Sequence, residues 1–231
     1  MIKILFLVSG QGGTLKFLHN YSRHFDNDIE IIGVIADREC GAVDYARENG
    51  LTSSIVQYSR LNPIALHQAL HQVEPDLIVT NIHKILDVGC LLIHPGRFIN
   101  LHYSLLPAYS GLIGMATLEE ARKQQVRFIG ATCHFVTEQV DAGQIISQAC
   151  FPVSWDESTD LLRQIIYRSA CLCMLNAIYS ATRLSGEADY AGSALQNVLG
   201  KPVSFSPKLG FHPCTLDEGF WTDFALQKTE A

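Results

Sequence analysis

The segment Met1–Thr14, MIKILFLVSGQGGT, joins a hydrophobic strand to a glycine-rich turn at the start of a helix. Apolar residues run almost without a break from Ile2 to Val8, which is typical of a strand buried on both faces of a parallel sheet. A secretion signal would need a cleavage region after such a run, and the turn does not supply one. The segment therefore predicts the first strand, turn and helix of an α/β fold.

The same alternation continues along the chain, because apolar runs rich in β-branched residues are separated by amphipathic helical patterns. This order predicts an α/β fold with a mostly parallel central sheet flanked by helices. Ligands of such sheets bind beyond the carboxyl ends of the strands. We expect Asp156 or Ser158 to cap the last helix. The predicted strands are Ile2–Val8, Ile29–Ala36, Leu77–Asn81, Phe98–His102, Ile129–Val136 and Gln144–Val153, and the predicted helices are Leu15–Arg23, Ala42–Asn49, Pro63–Val73 and Ser158–Leu184.

The chain after Gly186 contains several breakers of regular structure but keeps aromatic residues that can anchor it. We therefore predict a main domain over residues 1–184 and an ordered C-terminal arm over residues 185–231. The arm is expected to pack on that domain or on a second subunit, so a homodimer is left open. Its candidate anchors are Phe211, Phe220, Trp221 and Phe224.

The composition limits the class of partner. With 231 residues, of which 48% are hydrophobic and 17% charged, the chain can bury a substantial core. The net charge of −6 argues against an extended nucleic-acid-binding surface and favours a small-molecule partner. No apolar run is long enough to cross a membrane, so we expect a cytoplasmic protein without a membrane partner.

The cysteines and histidines give no pattern of metal ligands. The seven cysteines lack paired zinc-ligand spacing, which predicts free thiols in a reducing compartment. His67 and His71 lie four residues apart near Glu74, but a convincing further ligand is missing, and the pattern favours a solvated helix face. No metal is expected.

Asn100 and His102 end a predicted strand and are separated by one residue. Side chains alternate along a strand, so both point to the same face. The amide can donate to an oxyanion, the imidazole can donate or transfer a proton, and a carboxylate such as Asp141 can orient the imidazole. Together these groups suit acyl transfer without a covalent enzyme intermediate.

The wider pattern resembles the folate-dependent formyltransferase family, and most closely its glycinamide ribonucleotide branch. Asn100 and His102 are followed by Ser104–Pro107, SLLP, and later by His134–Thr137, HFVT, and Asp141–Gly143, DAG. The resemblance extends from Met1 to about Leu184. It implies a Rossmann-like formyltransferase fold, with the catalytic domain in residues 1–184.

The resemblance implies an enzyme that transfers a formyl group from 10-formyltetrahydrofolate, the co-substrate, to a primary amine through a tetrahedral intermediate. Asn100 and protonated His102 would donate to the oxyanion, while Asp141 would support His102 and organise water. The glycine-rich turn would hold an acceptor phosphate, although its sequence alone equally fits a tight turn. The implied folate-binding residues are Lys84, Ile85, Leu86, Val140 and Asp141, and the implied substrate-binding residues are Gly10, Gln11, Gly12, Gly13, Thr14, Ser104 and Arg168.

The chain departs from the branch where the acceptor is expected. Ser110–Thr117 replaces a Pro-Gly and Thr-His-Arg pattern, and Tyr167–Ala170 lacks the acidic contact of the branch's long helix. The acceptor is therefore either like glycinamide ribonucleotide, which implies purine biosynthesis, or another amine such as an amino sugar. Hydrolysis of 10-formyltetrahydrofolate is an alternative, because Ile129–His134 is similar to that related family. A catalytically silent folate-binding module is the third interpretation.

Overall fold

The computed structural model describes residues 1–182, 193–211 and 216–226, without the side chains of residues 223–226. The chain divides into two compact units. The first comprises Met1–Ile99 and Cys214–Ala231, and the second comprises Asn100–Pro213.

The first unit is built on a parallel sheet whose strands lie in the order β3-β2-β1-β4-β5. The central strand is buried along almost its whole length, as expected for an apolar strand covered on both faces. Neighbouring strands are parallel, so the chain crosses over from one end of the sheet to the other between consecutive strands. The strands are β1 (Ile2–Val8), β2 (Ile29–Ala36), β3 (Ser53–Ile55), β4 (Leu77–Asn81) and β5 (Phe98–His102), the last of which ends in the second unit.

Helices connect these strands, and the end of the C-terminal arm packs on the first of them. Phe17 stacks on Trp221 with ring centroids 5.4 Å apart and meets Phe220 edge-on at 5.9 Å. Such aromatic pairs stabilise beyond their buried area by about 0.5–1.5 kcal/mol. The helices are α1 (Gly13–Phe25), α2 (Gly41–Glu48), α3 (Ile64–His71), α4 (Val88–Ile93) and, from the arm, α7 (Glu218–Leu226).

The second unit contains an antiparallel group of strands in the order β6-β7-β9-β8, with one long helix against it. Its helices are α5 (Ala116–Lys123) and α6 (Thr159–Thr182), and its strands are β6 (Phe128–Phe135), β7 (Ile145–Pro152), β8 (Ala194–Val198) and β9 (Lys201–Ser206). Ser158 caps α6, because its hydroxyl accepts the Leu161 N–H at 3.2 Å. Residues 169–179 of α6 are buried without a break, as expected where a helix is mostly apolar all round.

The predicted α/β fold with a central sheet flanked by helices is confirmed. The parallel pairing lies in the first unit, and the antiparallel pairing of β6 with β7 was not specified by the apolar pattern, which is similar for either direction. The proposed division into residues 1–184 and 185–231 stays a prediction. Arg183, Leu184, Cys214 and the side chain of Phe224 lie outside the described residues.

One prediction about a helix surface was wrong. His67 was expected on a solvated face, but its side chain is only 27% exposed and Nε2 lies 2.9 Å from the Asp87 carboxylate. The reason is that α3 packs against α4, which the local sequence pattern does not show. Among the described helices, none is both long and apolar enough to cross a membrane.

Candidate active site

The predicted catalytic residues all lie in the second unit. Asn100 is half-buried on β5, and His102 ends that strand with its side chain 6% exposed. The His102 ring is held by the loop that follows, because Nε2 lies 3.1 Å from the carbonyl oxygen of Tyr109. A carbonyl can only accept, so Nε2 carries a proton in this arrangement.

Asp141 lies in the turn between β6 and β7, and its conformation is unusual for a residue with a side chain. Its φ of 54° falls in the left-handed region, where aspartate is tolerated better than most residues. Oδ2 accepts the Gly111 N–H at 2.7 Å. This bond fixes the carboxylate against the loop that also contacts His102.

Two imidazoles face the Asp141 carboxylate. His102 Nδ1 lies 3.5 Å from Oδ2, and His134 Nε2 lies 3.6 Å from Oδ1. The side chains of His102, His134 and Asp141 are 6%, 3% and 11% exposed, so the Asp141 charge acts on both rings with little screening by water. The other nitrogen of His134 lies 2.8 Å from the Phe135 carbonyl oxygen, while Nε2 has no hydrogen-bond partner among the described residues.

Burial and pairing act in opposite directions on these groups. Burial lowers the pKa of His102 below 6.5, and the nearby Asp141 charge and Tyr109 carbonyl offset that effect only in part. Burial by itself raises the pKa of the Asp141 carboxyl, but His134, the Gly111 N–H and the two imidazole charges outweigh it. The pKa of Asp141 therefore lies below its ordinary value, and the carboxylate is ionised at neutral pH.

The lowered pKa of His102 predicts a stability that falls on acidification. As the pH falls below about 6.5, His102 takes up a proton in the unfolded chain but not yet in the folded chain, which favours unfolding. The contribution of His102 to the free energy of unfolding is therefore complete above about pH 6.5 and is lost as the pH falls through the lower pKa of the folded state. His19 contributes with the same sign, because burial lowers its pKa as well. We expect the midpoint of urea unfolding to be lower at about pH 5.5 than at about pH 7.5. His102→Gln should reduce the difference, whereas an unchanged or higher acid midpoint in the wild type would contradict the assignment.

Gly143 completes the turn that carries Asp141, and a side chain there has no room. A Cβ on Gly143 would lie 1.7 Å from the Phe135 carbonyl oxygen. The turn thus approaches the end of β6 through a position that only glycine allows. The glycine of the predicted motif therefore has a packing role in positioning the carboxylate.

Gly143→Ala is expected to destabilise the protein by at least about 3 kcal/mol, because backbone must move to relieve the overlap. Gly96→Ala is the matched control. Gly96 has a φ of 72°, but a Cβ added there would have nothing within 4 Å, so only the conformational cost of about 1–2 kcal/mol applies. Equal losses in urea unfolding of the two variants would show that the turn accommodates a methyl group.

The remaining predicted residues of the second unit differ in their surroundings. Ser104 is buried, and its hydroxyl donates to the Ala108 carbonyl within the loop. Val140, beside Asp141, is 43% exposed. Arg168 lies half-buried on α6. Their roles in folate or substrate binding stay predictions.

The glycine-rich turn of the first unit has a tightly determined shape. Gly12 has a φ of 72°, and a Cβ there would lie 2.7 Å from that of Ala42. The Gly10 carbonyl accepts the Ala42 N–H at 3.1 Å, so the start of α2 closes over the turn. Thr14 is buried, and its hydroxyl accepts from Asn81 Nδ2. Gln11 is exposed, and Gly13 begins α1.

The other predicted residues of the first unit lie in the loop between β4 and α4. Lys84 is exposed, and Ile85 is 52% exposed. Leu86 is buried, with an exposure of 6%. The loop therefore presents one aliphatic side chain and one cation to solvent while anchoring itself through Leu86.

Several groups around His102 and Asp141 were not identified from sequence. The Gly111 N–H and the Tyr109 carbonyl both belong to the backbone, and their contacts do not depend on which side chain the residue carries. His134 was noticed in the matching strand, but the sequence fitted a core histidine equally well. Its position beside Asp141 depends on the pairing of β6 with the turn before β7.

Comparison with known proteins agrees with this fold. The model of the formyl transferase family matches residues 2–178. A phosphoribosylglycinamide formyltransferase of Mycobacterium tuberculosis is 31% identical over 171 residues, which cover 71% of this chain and 77% of that protein. The crystal structure of glycinamide ribonucleotide transformylase 1 from Symbiobacterium toebii is 29% identical, with a TM-score of 0.70, and the match covers 81% of this chain and 92% of that one.

The chain therefore belongs to the formyl transferase family. A chloroplastic phosphoribosylglycinamide formyltransferase of Vigna unguiculata is 29% identical over 170 residues, which cover 69% of this chain. The chain spans only about half of that relative's length, 54%.

Proposed function

We propose that this protein transfers a formyl group from 10-formyltetrahydrofolate to a primary amine of a small-molecule acceptor. The observation that carries the proposal is the buried Asp141 carboxylate between His102 and His134, with Asn100 on the same strand as His102. Such a set supplies an oxyanion donor, a proton carrier and a group that orients it. Membership of the formyl transferase family supports the same reaction class.

In the proposed reaction the neutral amine nitrogen attacks the formyl carbon and forms a tetrahedral centre with a negative oxygen. Asn100 donates its amide N–H to that oxygen, and His102 adds a second donor when its Nε2–H turns from the Tyr109 carbonyl to that oxygen. The amine loses a proton and the folate N10 gains one, after which the bond between carbon and N10 breaks. The products are the formylated amine and tetrahydrofolate.

The charge of His102 is expected to change during the reaction. Its pKa is lowered in the free protein, so the neutral ring predominates at neutral pH. Negative charge that develops on the formyl oxygen favours the protonated ring, and the ionised Asp141 supports it. We therefore propose that His102 takes up, through ordered water, the proton that the attacking amine loses. It gives this proton to the folate N10 as the bond between carbon and N10 breaks, and Asp141 stabilises the charged ring between the two transfers and orders the water.

For the folate, we retain the residues implied by the resemblance. In the first unit, Ile85 and Leu86 would contact the pterin through backbone groups and apolar surface, and Lys84 would supply a positive charge. In the second unit, Val140 would contact the pterin, and Asp141 would also bind the folate. Lys84 lacks the planar two-point donor that arginine provides at this position in the family, so it acts as a point charge.

The loop that contacts His102 and Asp141 favours an acceptor with apolar surface near its amine. Its backbone is engaged at Tyr109 and Gly111, and the residues that follow, Leu112 and Ile113, are 36% and 64% exposed. From Ala108 to Thr117 this loop carries no charged residue. An aliphatic surface is suited to a deoxygenated sugar or a similar amine, whereas a glycinamide ribonucleotide-like acceptor would depend on the glycine-rich turn for its phosphate.

The proposal is tested by incubating purified protein with 10-formyltetrahydrofolate, with and without glycinamide ribonucleotide, and by identifying both products by mass spectrometry. Formation of formylated amine in step with tetrahydrofolate supports the transfer. Folate release that needs no amine would replace it with hydrolysis. If glycinamide ribonucleotide is inert, amino sugars and other primary amines are screened in the same assay, and absence of turnover and folate binding would reject the proposal.

A cytoplasmic location and a homodimer belong to the same proposal. The described part of the C-terminal arm packs on its own chain through Phe220 and Trp221. Light scattering of the purified protein measures whether a second copy is also bound.

A further inference from the structure

The loop between β4 and α4 has no regular structure of its own, and a buried tyrosine from a distant part of the first unit fixes it. Residues 82–87 form neither helix nor strand. The Tyr58 hydroxyl lies 3.0 Å from the Ile85 carbonyl oxygen, to which it donates, and accepts the Asp87 N–H at 2.8 Å. One hydroxyl therefore holds the backbone on both sides of Leu86, at the Ile85 carbonyl and the Asp87 N–H. Tyr58 itself is only 6% exposed.

Asp87 anchors the same loop to two helices. Its carboxylate accepts from His67 Nε2 of α3 at 2.9 Å, and from the Cys90 N–H and Sγ of α4 at 3.3 Å and 3.0 Å. The side chain thus caps α4 while it binds α3. Burial alone raises the pKa of Asp87, but the hydrogen bonds from Cys90 and His67 outweigh it and lower the pKa. The carboxylate is therefore ionised and surrounded by donors.

Gly89 provides the space in which these groups meet. A Cβ at Gly89 would lie 2.5 Å from His67 Cε1 and 2.7 Å from Asp87 Oδ2. The close approach of α3 and α4 depends on this missing side chain. We call Tyr58, His67, Asp87 and Cys90 the Tyr58–Asp87 network.

Histidine, aspartate and cysteine are also ligands of zinc, and their ligand atoms here lie within 4.8 Å of one another. The hydrogen bonds favour a different role. The thiol and the imidazole both donate to Asp87, so the three groups satisfy one another by hydrogen bonds.

We propose that Tyr58 and Asp87 are positioning residues for folate recognition. They hold the backbone of the Lys84–Leu86 loop in one conformation before the folate binds. This inference rests on the proposed function, in which that loop contacts the pterin. A fixed backbone avoids the entropy cost of ordering the loop on binding, so the network strengthens folate affinity and leaves the chemical step to other residues.

Tyr58→Phe removes one hydroxyl and tests the inference. We expect KM for 10-formyltetrahydrofolate and Kd for tetrahydrofolate to rise about tenfold, as for the loss of one buried hydrogen-bonding group, with kcat within about twofold of wild type. Tyr45→Phe is the matched control. Tyr45 is also a buried tyrosine of the first unit, and its hydroxyl lies 2.8 Å from His19 Nδ1, outside the network. It should leave both folate constants unchanged.

Asp87→Asn provides a second variant, with the same expected rise in KM and Kd, if Tyr58→Phe is poorly folded. Wild-type folate constants in a folded Tyr58→Phe or Asp87→Asn variant, or an equal rise in Tyr45→Phe, would overturn the positioning role while leaving formyl transfer intact. Stoichiometric zinc in the purified wild-type protein would also overturn it. Absence of folate binding by the wild type would reject both the inference and the proposed function.

Discussion

Asn100→Ala is expected to lower kcat for formyl transfer by about a hundredfold to a thousandfold, with a much smaller change in KM for the folate. In the proposed mechanism the Asn100 amide donates to an oxygen that carries full negative charge only in the tetrahedral centre. Its removal therefore raises the barrier by about 3–4 kcal/mol without removing a contact on which ground-state binding depends.

The measurement is steady-state kinetics with the acceptor identified in the product assay, together with urea unfolding. Asn62→Ala is the control, because Asn62 is an exposed asparagine that lies in a surface turn of the first unit. It should retain wild-type kcat. A kcat for Asn100→Ala within about threefold of wild type would remove this residue from the oxyanion contact.

Asp141→Asn is expected to lower kcat by about a hundredfold to ten-thousandfold, the range of a lost acid–base function. The amide oxygen of asparagine can still accept the Gly111 N–H, so the turn keeps a hydrogen bond. What is lost is the negative charge beside the two imidazoles, 3.5 Å from His102 and 3.6 Å from His134. The protonated state of His102 then lacks its counter-charge.

The same substitution has a spectroscopic signature. Asp141 raises the pKa of His102 against the effect of burial, so its neutralisation should lower that pKa further. Titration of the His102 ring by NMR in both proteins measures the shift. Asp44→Asn, which neutralises an exposed carboxylate of the first unit, serves as the control for net charge. An unchanged His102 pKa together with wild-type kcat would show that the carboxylate has only a structural role.

Much of the parallel sheet could be predicted, because each buried strand is marked by a short apolar run in the sequence. Ile2–Val8, Ile29–Ala36, Leu77–Asn81 and Phe98–His102 have the predicted bounds, since strands buried on both faces are nearly continuous apolar runs. The three-residue strand Ser53–Ile55 was missed, because it is too short and too polar to produce such a run.

The candidate site could be predicted as a set of residues but not as an arrangement. The spacing of Asn100 and His102 predicted a shared strand face, and the pattern of motifs added Asp141. The contact of that carboxylate with Gly111 joins backbone and side chain across 30 positions of the chain. No residue type marks such a contact, because every residue except proline carries a backbone N–H that can donate.

The sequence by itself determined the α/β class, the strands of the first unit other than Ser53–Ile55, and the chemical groups available for catalysis. Only the tertiary structure decided that β6 and β7 pair antiparallel, that His134 faces Asp141, and that Tyr58 and Asp87 hold the Lys84–Leu86 loop. The physical reason is the range of the forces involved. Periodicity and propensity act over a few neighbouring residues, whereas hydrogen bonds, desolvation and charge pairing depend on groups that meet only when the chain has folded.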